Sequence, residues 1–100
     1  MLMYFGKALL DMDGEVIDEK VGVPATLRSV SVSSLLAAYP DEQGLGGDEK
    51  FRRWELASKI KNGTDPVEVT VDEVALVKKL IGKAYAPIIV GQAWKMLEGN

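Results

Sequence analysis

One hundred residues, 47% of them hydrophobic and 27% charged, suffice for one globular domain and are too apolar for a disordered chain. The chain has no histidine and no cysteine. That removes the neutral-pH proton shuttle, the thiol nucleophile, disulfides and the commonest metal ligands, so no cofactor or metal is expected and an enzyme is the least expected class. A net charge of −3 argues against a dedicated nucleic-acid binder.

Residues 1–5 are apolar, but Lys7 follows too soon for a secretory leader. The most apolar stretch, 84–90, is broken by Pro87 and falls far short of the ~20 residues of a membrane span. The expectation is one soluble cytoplasmic domain over 1–100, with a β-hairpin in 1–23 and a helical part in 24–100.

Residues 2–22 read as a β-hairpin turned at Asp13-Gly14, a pair that supplies the positive φ of a tight turn. Leu2-Met3-Tyr4-Phe5 and Ala8-Leu9-Leu10 precede the turn, and Val16, Ile17 and Val21 follow it. The apolar doublets Leu9-Leu10 and Val16-Ile17 blur the alternation and leave strand lengths open. A lone hairpin is marginal in water, so it must lie on helices or on a partner chain.

After Pro24, Thr26 is placed to N-cap a first helix, with Leu27, Val30, Ser31, Ser34, Leu35 and Ala38 at helical spacing. Its valines and serines lower helix propensity, and residues 29–32 fit a strand as well as a helix. Pro40 ends the segment by pushing Tyr39 out of the α region. The main loop, 41–47, leads to a second helix from about 48 to 62. Asp48 and Glu49 complement the positive end of its dipole, Lys59 and Lys61 the negative end, and Asn62-Gly63 is its stop. Its apolar stripe is assigned to Phe51, Trp54, Ala57 and Ile60, with Leu56 beside it, which makes Phe51 and Trp54 core anchors.

Thr70-Val71-Asp72-Glu73 has the pattern of a capping box and opens a third helix that runs to about Ile81. Val71, Val74, Val77 and Ile81 form one apolar face, Leu76 and Leu80 another, so this helix is packed on two sides. Gly82 is assigned to a turn, and Pro87 to the first turn of a fourth helix carrying Ile88 to Leu97. The fold class is α+β and mainly helical, an N-terminal β-hairpin packed on about four α-helices.

Motifs of chemistry are weak. Asp11-Met12-Asp13-Gly14-Glu15 begins like a calcium loop, but its glycine is fourth rather than sixth and its twelfth residue is Gly22, so a tight turn explains it better. Gly44-Leu45-Gly46-Gly47 lacks the P-loop lysine and precedes Asp48-Glu49, which repel an anion. Tyr4, Tyr39 and Tyr85 offer acid–base groups with no pairing pattern. Arg52, Arg53, Lys59 and Lys61 make the second helix basic and are the candidate contacts of an alternative reading, a nucleic-acid-associated regulator. A helix-turn-helix reading of the last two helices fails, because Pro87-Ile88-Ile89-Val90 would bring four apolar groups to the groove.

From Thr26 to Glu98 the chain contains Leu35-Leu36-Ala37, Asp41-Glu42-Gln43, Glu49-Lys50-Phe51-Arg52-Arg53-Trp54-Glu55-Leu56-Ala57, Val69-Thr70-Val71-Asp72-Glu73-Val74-Ala75-Leu76-Val77-Lys78-Lys79-Leu80-Ile81 and Val90-Gly91-Gln92-Ala93-Trp94-Lys95-Met96-Leu97-Glu98. In layout this resembles small proteins encoded by bacteriophages and prophages. The Leu45-Gly46-Gly47-Asp48 segment departs from the serine cap of that pattern, which softens the helix start. The resemblance carries no catalytic signature and implies an accessory or assembly role in a bacterial cytoplasm. Helices apolar on more than one face and a hairpin with open edges favour a homo-oligomer, or a complex with a phage or host protein. The candidate interface is Ile88, Ile89, Trp94 and Leu97. The expected function is a non-enzymatic phage accessory or assembly protein that acts through protein–protein contacts and self-association.

Overall fold

Thr26 and Ser29 start the first helix by capping each other. Ser29 N–H donates to Thr26 Oγ1 at 3.1 Å, and Thr26 N–H donates to Ser29 Oγ at 2.9 Å. Helix α1 therefore spans Leu27–Leu36, and residues 29–32 are helical despite their strand-compatible side chains. The computed structural model describes residues 1–99. In chain order it contains β1 (Leu2–Met3), β2 (Asp18–Lys20), β3 (Val23–Pro24), α1, a 3-10 turn (Pro40–Glu42), α2 (Gly47–Asn62), β4 (Val67–Glu68), α3 (Val71–Ala84) and α4 (Pro87–Gly99). This is the mainly helical fold with an N-terminal hairpin that the sequence predicts. Among the described residues, no helix is long and apolar enough to cross a membrane.

The N-terminal region is more divided than a single hairpin over 2–22. The turn at Asp13-Gly14 forms, with Gly14 at φ 83° and Leu10 bridging to Val16. A second turn at Val21-Gly22, with Gly22 at φ 77°, folds β2 onto β3 and sets Asp18 opposite Pro24. Both glycines occupy the left-handed region that a tight reversal requires. Leu9, Ile17 and Ala25 close a ring of three backbone hydrogen bonds: Leu9 N–H to Ala25 O at 2.9 Å, Ala25 N–H to Ile17 O at 2.7 Å, and Ile17 N–H to Leu9 O at 2.9 Å. β1 takes no part in this ring. It pairs antiparallel with β4, Leu2 opposite Glu68 and Met3 opposite Val67, and so joins the chain's start to the segment before α3.

Met3, Phe5 and Leu9 are buried in one core cluster with Leu27, Val30, Ile60, Leu80 and Ile81, so the N-terminal segment shares the core of the helices. Helix α3 packs on both α1 and α4, as its two apolar faces predict. Its capping box is present: Glu73 N–H donates to Thr70 Oγ1 at 3.1 Å and Thr70 N–H to Glu73 Oε1 at 2.8 Å.

Two local expectations need correction. Phe51 and Trp54 are 58% and 56% exposed, so they are not core anchors; α2 buries Arg53, Leu56, Ala57 and Ile60 instead. The inward face shares Ala57 and Ile60 with the predicted stripe but continues upstream through a charged residue. Gly82 makes no turn, since α3 continues to Ala84. A Cβ there would stand 3.1 Å from the Trp94 ring, so the bare backbone is the surface on which Trp94 packs. Gly63 ends α2 as predicted, at φ −75°, and a Cβ there would lie 2.7 Å from Lys59 O.

Candidate functional site

The densest polar cluster lies where the main loop meets α2 and α3. Pro40 starts the 3-10 turn, which presents Glu42 to Arg53 on the inward face of α2. Arg53 Nη1 and Nη2 donate to Glu42 Oε1 and Oε2 at 2.7 and 2.9 Å, the bidentate geometry that suits guanidinium and carboxylate. Lys83 of α3 reaches the same carboxylate at 3.1 Å and Asp41 at 2.9 Å. Among the described residues Arg53 Nε finds no hydrogen-bond acceptor, and it stands 3.6 Å from Glu49 Oε1.

The hydrogen bonds from Arg53 outweigh burial and, with those from Lys83, hold the Glu42 carboxyl down to about 2. The hydrogen bond to Asp41 raises the Lys83 ammonium above its ordinary value, and Glu42 adds to it. Tyr39 stands beside this cluster, its hydroxyl donating to Ser34 O at 2.6 Å and to Leu80 O at 3.3 Å, with Lys83 over its ring. Burial raises its pKa. Every charge in the cluster has an opposite partner, which makes it a clamp between loop and helices. Among the described residues, no group of three or more metal-ligating side chains is present.

The clamp forms the floor of a groove of about 440 Å³ between the end of α1 and the first half of α2. Leu35 and Leu36 line one side, Lys50, Arg53 and Trp54 the other, and Leu45 comes from the loop. Beside the groove Phe51 stacks on Trp54, with ring centroids 5.8 Å apart and an interplanar angle of 24°. Leu36 and Trp54 of the lining are each more than half exposed, so the groove has an apolar rim.

The predicted site residues do not gather in one place. Of the candidate interface, Ile89 and Leu97 are buried within the chain's own core. Ile88 and Trp94 are each 37% exposed, and Trp94 Nε1 donates to Lys78 O at 2.9 Å. Of the candidate nucleic-acid contacts, Arg53 is buried in the clamp, Lys59 bonds Glu73 at 2.9 Å, and Arg52 lies 3.4 Å from Glu49. Lys61 alone has no ion pair among the described residues. These four cations form no shared face.

Sequence reasoning missed Glu42 and the Phe51–Trp54 face. The available signal was the i, i+3, i+4, i+7 set Arg53, Leu56, Ala57 and Ile60, a stripe whose first member is charged and therefore needs a buried partner. Comparison with family models, with curated proteins and with solved structures yields no match to this chain.

Proposed function

We propose that this chain is a non-enzymatic interaction protein, a phage or prophage accessory or assembly factor that self-associates through its Phe51–Trp54 face. The observation that carries the contact surface is the aromatic stack on the solvent side of a helix whose inward face is already filled. Large aromatics bury about 150–250 Å² each and dominate interface energetics, so a stacked exposed pair beside an open groove favours a partner. The phage assignment is supported by the sequence layout alone.

The test is solution mass by light scattering over a wide concentration range. The wild type is expected to exceed the 10.9 kDa of one chain as concentration rises. Phe51→Ser/Trp54→Ser is expected to remain a monomer with an unchanged circular dichroism spectrum. A wild type monomeric throughout overturns self-association, and a double variant that assembles normally overturns the assigned face.

A further inference from the structure

We infer that the association is head-to-tail: the N-terminal arm, residues 10–23, of one copy docks in the groove between α1 and α2 of another. This rests on the reading of the Phe51–Trp54 face as a contact surface and names its occupant.

The arm is built to be covered. Leu10, Met12, Val16, Val21 and Val23 are all exposed, Val21 completely so at the tip of the second turn. Residues 10–23 also hold five acids and one lysine, a net charge of −4 in a chain whose total is −3. None of those acids makes an ion pair among the described residues, whereas most acids of the helical body do. The charges lining the groove sum to +1, because Arg53 is paired with Glu42 while Lys50 makes no ion pair among the described residues.

The fold keeps the two surfaces of one copy apart. The arm runs into the N-terminus of α1 and the groove opens at its C-terminus. Ten residues of helix separate them by about 15 Å. The arm is also held at its base, where Gln92 of α4 bonds both backbone groups of Leu10. A copy therefore cannot fill its own groove. An arm and a groove on separate patches make a heterologous interface, which extends into a ring or a chain of copies.

Complementation between two variants tests this. Glu19→Lys/Val21→Lys spoils the arm at fully solvated positions, and Lys50→Glu/Trp54→Ser spoils the groove. Each is expected to be a monomer alone. Mixed one to one, the intact groove of the first accepts the intact arm of the second, so the mass doubles to two chains and stops there. Glu15→Lys/Asp18→Lys repeats the arm change at other positions, with circular dichroism and melting temperature checking the fold of every variant. If the wild type assembles and both arm variants assemble as well as it does, head-to-tail docking is overturned while the Phe51–Trp54 face stands. Two monomeric variants that form no mixed species also overturn it. A wild type that stays monomeric removes the underlying reading too.

Discussion

Gln92 treats Leu10 as a strand neighbour would. Its Oε1 accepts the Leu10 N–H at 2.9 Å, and its Nε2 donates to Leu10 O at 2.7 Å, across 82 positions of sequence. The same Nε2 donates to Ile88 O at 2.7 Å, which fixes the amide on its own helix before it meets the arm. One helical side chain thus pairs the arm's open backbone to α4.

Gln92→Ala is expected to destabilise the protein by about 1–2 kcal/mol, the worth of two partly solvated hydrogen bonds. Hydrogen exchange should locate the effect: the Leu10 amide loses protection while amides in the middle of α3 keep theirs. Global loss of protection would show that the contact supports the whole core.

Arg53 and Glu42 form a buried pair whose two halves depend on each other. Their side chains are 6% and 12% exposed, so removing one strips the other of its bidentate partner and leaves it only the weaker contact with Lys83 or Glu49. Arg53→Ala is expected to cost about 3 kcal/mol in urea denaturation. The double change Arg53→Met/Glu42→Leu should cost less than Arg53→Ala, because neither charge of the pair remains inside. Additive losses would contradict this account.

The same pair sets a pH dependence. Glu42 has its ordinary carboxyl value of 4.5 in the unfolded chain and about 2 in the folded one. Folding therefore favours its ionised form, and that stabilisation is complete above pH 4.5 and is lost as pH falls through 4.5 towards 2. Asp65 and Glu73 add in the same direction. Burial pulls both upward, but backbone N–H donors from Phe5 and Gly6, or from Thr70, together with Arg28 or Lys59, hold them below their ordinary values. Denaturation midpoints should fall across this acid range, and Glu42→Gln should flatten the slope. An unchanged slope in that variant would assign the acid transition to other carboxylates.

Gly63→Ala is expected to destabilise by about 1–3 kcal/mol through overpacking, although φ −75° suits alanine. The added methyl would meet Lys59 O at 2.7 Å and Val67 Cγ2 at 2.9 Å, and the first of these is backbone that cannot rotate away. A thermal melt decides it. An unchanged midpoint would mean that the start of β4 shifts freely.

Sequence alone determined the features that depend on neighbours a few residues away. The N-cap at Thr26, the capping box at Thr70, the reversal at Asp13-Gly14, the end of α2 at Asn62 and the start of α4 at Pro87 all follow from residues meeting their own backbone. Tertiary structure decided what depends on partners far along the chain. The pairing of β1 with β4 joins residues more than sixty positions apart and has no local signature. The face of α2 turned inward was settled by Glu42, because an arginine can enter a core when a carboxylate meets it there. Once Arg53 takes that position, the helical period carries Phe51 and Trp54 outward, and the residues that pattern alone assigned to the core become exposed surface.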